Sequence, residues 1–297
     1  MNKLGGFFRK YGEDYLFALP YMLLFCIFTI VPVVISLVFS FTYFNILEPP
    51  EFVGFANYAK MFVNDELTVK AFSNTMIIAL IVGPGGYILS IALAWIISEF
   101  SRGLRSLLTL LLYAPSISGS AYMIWQIIYS GDQYGWLNGI LMSLNLTYEP
   151  IQWLTDTKYM MVAAIIAILW TSLGTGFLSF IAGFQSMDRK LFEAAAVDGI
   201  KNRFQELWYI TLPSIRPQLM FGAVMSITSA FGVGDIINGL FGFPSTNYAL
   251  YTVVHMLQDY GSTRFEMGYA SSIATVLFLF MIFLNKIIQH LLGKVGG

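Results

Sequence analysis

Six stretches of this sequence are each long and apolar enough to cross a lipid bilayer: residues 15–43, 71–98, 107–130, 158–182, 217–240 and 269–291. A hydrocarbon core of ~30 Å needs ~20 apolar residues per helix. Inside lipid every backbone N–H and C=O must find its partner within the protein, which leaves helices or a closed barrel. Apolar runs of this length read as helices. The chain therefore reads as an all-α membrane protein of six transmembrane helices. Composition agrees, because only 11% of the residues are charged, against ~25% in ordinary soluble domains.

Several function classes fall away at once. The net charge of −1 gives nucleic acid no basic face to bind. Cys26 stands alone in an apolar run, so neither a disulfide framework nor a cysteine metal cluster is available. His255 and His290 are isolated, and the paired acids Glu13-Asp14 and Asp65-Glu66 lie outside the apolar runs. We assign no catalytic residue and no metal ligand, and an intramembrane enzyme is disfavoured. The first apolar run is too long for a signal-peptide core and is expected to remain as a helix.

Orientation follows from the basic residues of the short loops. With the N-terminus inside, twelve of the sixteen Lys and Arg face the cytoplasm, Lys3, Arg9, Lys10, Arg102, Arg105 and Lys294 among them. Only Lys60, Lys70, Lys158 and Arg264 fall outside. Both termini are therefore expected to be cytoplasmic. We expect one permease-like domain over 1–297, with outer loops at 44–70, 131–157 and 241–268 and one long inner segment at 183–216. Pro20 and Pro32 interrupt the first apolar run, and Pro84, Gly85 and Gly86 the second.

The inner segment carries the most specific pattern. Asp188 can cap a short helix, Glu193 is expected in its first turn, and Gly199 can end it in a left-handed conformation. Leu191, Ala194, Ala195 and Ala196 give that helix a compact face that another protein could approach closely, although a capped surface helix without a partner would look the same. Downstream stand Ile210, Leu212, Pro213 and Pro217.

Glu193-Ala194-Ala195, Gly199 and Ile210-x-Leu212-Pro213 resemble the EAA loop of bacterial type I ABC importer permeases. Asp198, Trp208, Thr211 and Pro217 resemble its carbohydrate-uptake branch, the relatives of the maltose permease. Phe52-Val53-Gly54-Phe55-x-Asn57-Tyr58, the pair Asn74-Thr75, and Leu19-Pro20, Phe28, Pro32, Ser40 and Phe41 match further signatures of that branch. One departure stands out: ten residues separate Gly199 from Ile210, where the family pattern has nine.

The resemblance implies a coupling helix at 188–200 that docks on a cytoplasmic ATPase, with Asp188, Leu191, Phe192, Glu193, Ala194, Ala195, Asp198 and Gly199 as its contact residues. It further implies a second permease subunit in a heterodimer, two ATPase subunits, an extracytoplasmic solute-binding protein, a sugar or oligosaccharide as cargo, and the bacterial inner membrane as location. The chain has no Gly-x-x-x-x-Gly-Lys-Ser/Thr loop, so it holds no cofactor of its own; ATP and Mg belong to the partner ATPases.

A sugar path needs hydrogen-bonding side chains and aromatic faces. The third helix offers Tyr122, Trp125 and Gln126. The fourth, which the family uses for sugar contacts, offers Thr171, Ser172, Thr175 and Ser179 on one helical face. The fifth offers Ser229 and Asp235, the latter ~27 Å along its helix if that helix is straight. Hydroxyls in membrane helices also serve plain helix–helix contacts. The rival transport mechanism is a secondary transporter driven by an ion gradient. Such folds favour internal repeats and midplane carboxylates; no repeat is visible here, and Asp235 is the main candidate carboxylate.

Overall fold

The structure, a computed structural model, describes residues 15–293. Lys3, Arg9, Lys10, Glu13, Asp14 and Lys294 lie outside the described residues. The chain is helical almost throughout, in the order α1 (Tyr15–Phe39), α2 (Glu66–Ser98), α3 (Arg102–Ile117), α4 (Tyr122–Ile128) and α5 (Trp136–Ser143). There follow α6 (Thr157–Thr171), α7 (Thr175–Gln185), α8 (Arg189–Val197), α9 (Arg216–Phe231), α10 (Gly234–Phe241) and α11 (Met267–Gly293).

Among the described residues, only α1, α2 and α11 are single helices long and apolar enough to cross a membrane. The other three expected spans are pairs bent at a short break: α3 and α4 by 92°, α6 and α7 by 42°, α9 and α10 by 41°. Six spans result if each bent pair counts as one. The spans expected at 107–130, 158–182 and 217–240 correspond to these three bent pairs. Each break holds a glycine (Gly119, Gly174 or Gly232). The expected interruption at Pro84-Gly85-Gly86 is corrected, for α2 runs through Pro84 without a break.

The described residues pack as two compact units. The first comprises 15–66 and 256–278. Within α1 a π-helical turn, Cys26–Ile30, precedes Val31-Pro32. Pro32 has no N–H to donate to the Phe28 carbonyl four residues back, and a widened turn is a common response to such a missing bond. Beyond α1 a two-residue hairpin pairs Thr42 with Phe52 and Tyr43 with Glu51. The Phe52–Tyr58 signature closes this corner. Gly54 takes φ +59°, the buried Asn57 amide donates to the Ser40 and Thr42 carbonyls at 2.9 and 2.8 Å, and Tyr58 Oη donates to Ser40 Oγ at 2.8 Å. In the same unit Asp65 accepts from the hydroxyls of Tyr260 (2.8 Å) and Tyr269 (3.0 Å). Lys60 lies 4.3 Å from the Tyr269 ring centre and pairs with Glu266.

The second unit comprises 67–255 and 279–293. The second signature pair ties the start of α2 to residues 249–253. Asn74 Nδ2 donates to the Ala249 and Tyr251 carbonyls at 3.0 and 2.9 Å, and Thr75 Oγ1 accepts from the Val253 amide at 2.9 Å. At the centre, Phe177 and Phe180 of α7 are fully buried with Ala94, Ile97, Ile215 and Leu219 around them. Here α7 and α9 approach through glycine. A Cβ on Gly176 would come within 3.2 Å of Gly222 Cα, the close backbone contact that small residues permit in membranes.

The loop 131–157 folds around one side chain. Asn138, with no exposed surface, donates to the Ser130, Asp132 and Ile151 carbonyls at 3.0, 3.2 and 3.0 Å. Its Oδ1 accepts from the Ile151 amide at 3.1 Å and from Trp153 Nε1 at 2.9 Å. Replacing Asn138 with leucine leaves several buried polar groups unpaired, at ~1–3 kcal/mol for each group that water cannot reach. We expect Asn138→Leu to lower the unfolding temperature in detergent and to open 131–157 to limited proteolysis. Asn138→Asp is expected to fail likewise, because a carboxylate cannot donate to three carbonyls. A parent-like digestion pattern in both variants would remove Asn138 as the organiser of this loop.

Candidate functional site: a hydroxyl-lined cavity at the helix breaks

The three breaks meet at one cavity of about 330 Å³, at the small end of the ~300–1,000 Å³ typical of ligand pockets. Its wall comes from α2, the α3–α4 break, the end of α6 and the α9–α10 break. The polar lining consists of Ser116, Ser118, Tyr122, Thr171, Ser172, Ser226, Ser229 and Asp235. A helix break leaves backbone groups without intrahelical partners, and such backbone is tolerated at membrane depth where it lines a cavity.

Five of the eight residues singled out from sequence lie on this wall: Tyr122, Thr171, Ser172, Ser229 and Asp235. Trp125, Gln126 and Thr175 do not. Trp125 packs edge-on against Trp170 at 5.9 Å and tilted against Tyr129 at 5.0 Å. Gln126 Nε2 donates to the Gly239 carbonyl at 2.8 Å, tying α4 to α10. Thr175 opens α7 beyond the break at Gly174, so the single face expected for Thr171, Ser172, Thr175 and Ser179 is split. Thr171 and Ser172 each donate back to a carbonyl of α6, at 3.0 Å to Ile168 and 2.7 Å to Leu169. Their oxygens remain free to accept from a ligand.

Asp235 needs a different account from the one a straight helix gives. It stands in the first turn of α10, a helix of its own, and is exposed. An acid in a first turn is favoured by the helix dipole, so the distance of ~27 Å along one continuous helix no longer applies. Behind this turn His255 is 2% exposed, stacked between Phe243 at 5.8 Å and Tyr251 at 6.3 Å. Burial pushes its imidazole down to about 4, against the opposing pull of the Gly234 backbone and Asp235.

The inner segment has a second geometry of interest. Asp188 Oδ1 caps α8 by accepting from the Lys190 amide at 3.0 Å. The C-terminus closes with the Ile200 amide donating to the Ala195 carbonyl at 3.1 Å and Gly199 at φ +93°, a Schellman ending. Glu193 falls in the second turn of α8 rather than the first, because the helix begins at Arg189. Ala195 is buried, while Leu191, Glu193, Ala194 and Val197 are exposed. Arg203 pairs with Glu99 at the end of α2 (2.8 Å) and with Glu206 (2.9 Å), and Phe204 stacks edge-on against Trp95 at 5.3 Å.

The family model of the binding-protein-dependent transport system inner membrane component matches residues 86–294, nearly all of the cavity wall and the whole of α8. The chain belongs to this family. Among curated relatives of the permease, the "Probable ABC transporter permease protein YesP" of Bacillus subtilis is 30% identical, covering 89% of this chain and 84% of the relative. The arabinooligosaccharides transport system permease protein AraP of the same organism is 28% identical, covering 98% and 92%. A crystal structure of a bacterial ABC transporter involved in import of the acidic polysaccharide alginate matches with a TM-score of 0.81 at 22% identity, covering both chains fully. That last likeness is one of fold.

The permease is thus a multi-pass transport subunit and not an enzyme. Among its described residues no cluster of His, Cys, Asp or Glu could hold a metal. Sequence reasoning passed over Ser116, Ser118 and Ser226 on the cavity wall. Ser226 stands three residues before Ser229 on the same helical face, and Ser116 and Ser118 flank the end of α3; both signals were present. The ten-residue spacing after Gly199 also has a physical counterpart. A π-helical turn occupies Leu207–Thr211, and such a turn takes up one residue more than an α-helical one. An added residue there leaves Leu212-Pro213 on the side it would otherwise occupy.

Proposed function

We propose that this permease carries a sugar or oligosaccharide across the bacterial inner membrane by alternating access, with Tyr122, Thr171, Ser172, Ser226, Ser229 and Asp235 along the path. The observation that carries the proposal is the cavity at the three helix breaks, lined by hydroxyls and one carboxylate. Such a wall offers many acceptors and donors and no fixed cation, which suits a polyhydroxylated cargo. The names of the relatives, which include arabinooligosaccharide and lactose systems, support the same class. A solute-binding protein delivers the cargo to the outer loops, a second permease subunit completes the path, and two ATPase subunits supply ATP and Mg to drive it. The alginate importer solved with its pentasaccharide-bound periplasmic protein supports that architecture. The exposed apolar surface of α1, none of which is buried within the chain, suits lipid or a partner subunit.

The test is uptake in proteoliposomes by the complex purified with its partners. ATPase subunits should co-purify, and an inactive ATPase should abolish uptake. Uptake persisting under an ion gradient with the ATPase dead would favour secondary transport instead. Asp235→Asn keeps the shape and removes the charge; losing a charge-assisted hydrogen bond of ~1.5–3 kcal/mol should slow uptake about tenfold or more. Membrane insertion and assembly should be unchanged. Parent rates in both Asp235→Asn and Asp235→Ala would reduce Asp235 to a wetted helix-end acid.

A further inference from the structure

A second hollow of about 330 Å³ opens between the start of α3 and the end of α7, away from the cavity of the proposed path. Its polar lining is Arg102, Arg105, Ser106, Thr109 and Tyr113 from α3 and Gln185 from α7. The α3 residues recur at spacings of three and four, so they form one stripe on that helix. Arg102, Arg105, Tyr113 and Gln185 all carry hydrogen-bond donors, the Ser106 and Thr109 hydroxyls donate back to the Arg102 and Arg105 carbonyls at 3.0 and 2.8 Å, and no acidic residue lines the hollow. Arg105 Nε is buried there without a hydrogen-bond partner. The contrast with Arg203 is informative, since that guanidinium is engaged by Glu99 and Glu206.

We propose that this hollow binds the phosphate headgroup of an anionic phospholipid, with Arg102 and Arg105 as the principal ligands. A guanidinium fork matches phosphate oxygens in two-bond geometry, and basic pockets between membrane helices at the cytoplasmic side recognise such headgroups. Depth fits as well. Arg102 is the first residue of α3, just before the apolar run that opens at 107, while Tyr113 lies ~16 Å further along the helix. Leu104, Leu107 and Leu111 beside the stripe are 43%, 53% and 59% exposed and offer acyl chains a surface to lie against. The orientation proposed above determines only which leaflet supplies the lipid, here the inner one. Gln185 closes α7 three residues before the Asp188 cap of α8, so an occupied hollow ties α3 to the root of that helix.

The experiment uses the permease with its partner subunits, delipidated and returned to phosphatidylcholine nanodiscs with or without phosphatidylglycerol. Native mass spectrometry should find a phosphatidylglycerol retained by the parent and lost from Arg102→Gln/Arg105→Gln. Arg102→Lys/Arg105→Lys, which keeps the charge but not the fork, should retain it in part. Inorganic phosphate added at millimolar excess should fail to displace the lipid. Equal retention by parent and Gln variant overturns the proposal, and so does displacement by inorganic phosphate, which would mark a free-anion site. A third check compares uptake in pure phosphatidylcholine vesicles, where parent and variant should be alike. A defect of the variant there would assign the arginines to the cargo's exit route instead.

Discussion

Gly222→Val is expected to prevent α9 from packing on α7, with loss of the folded permease from detergent extracts and loss of uptake. A Cβ at this position would run into the Phe180 ring, and a Cβ on the facing Gly176 would stand only 3.2 Å from Gly222 Cα. Phe180 is fully buried and cannot swing away without opening the core around Ala94, Ile97 and Leu219. Overpacking of this kind costs ~1–3 kcal/mol, occasionally more, when neighbours cannot yield. Valine adds two further methyl carbons and its β-branch limits rotamers, so the upper part of that range applies. Gly139→Ala is the matched control, because its Cβ would meet nothing nearer than the Gln133 carbonyl at 3.8 Å. Size-exclusion profiles of detergent-solubilised protein read both outcomes. A monodisperse Gly222→Val peak of parent height would mean that α7 and α9 can part without harm.

Hydropathy located the six spans because it reports partition between water and lipid, which each segment decides by itself. It could not locate the bends, because those depend on what the helix meets. Pro84-Gly85-Gly86 carries the strongest breaker signal in the sequence, yet α2 continues through it as one helix. The reason lies across the contact: a Cβ on Gly85 would come within 3.3 Å of Leu169, and one on Gly86 within 2.6 Å of Ser172 Oγ. These glycines make room for the end of α6. Gly119, by contrast, meets nothing within 4 Å, and Gly174 and Gly232 meet only carbonyls at 3.8–3.9 Å. No neighbour presses on these positions, and there the helices break. The same distinction explains the candidate path. Thr171, Ser172, Ser229 and Asp235 were legible as polar groups in apolar surroundings, whereas Thr175 and Gln126 looked equal to them and differ only by where a break or a neighbouring carbonyl stands.

Gly199→Val and Glu193→Lys are expected to separate ATP hydrolysis from transport, by two different physical routes. Gly199 sits at φ +93°, where a left-handed conformation costs an ordinary residue ~1–2 kcal/mol and a β-branched one more. That strain opposes the Schellman closure through Ile200 and Ala195, and with it the ending of α8. A penalty near 1.4 kcal/mol against the docked geometry corresponds to about a tenfold loss of uptake. Asn tolerates the left-handed region better than other side chains, so Gly199→Asn should retain more uptake than Gly199→Val if conformation is the cause. Glu193→Lys works without strain, since the side chain is exposed on a helix that ends in small residues. It reverses one charge on the exposed face of α8, the face proposed to meet the ATPase, and leaves the cap at Asp188 and the Arg203–Glu99 pair intact. Both variants should insert and assemble normally, and their complexes should hydrolyse ATP at rates no longer raised by loaded binding protein. Uptake measured beside ATP turnover in the same vesicles separates the two quantities. Parent uptake in both variants would strip α8 of the coupling role, and equal damage from Asn and Val at position 199 would point to lost contact surface in place of backbone strain.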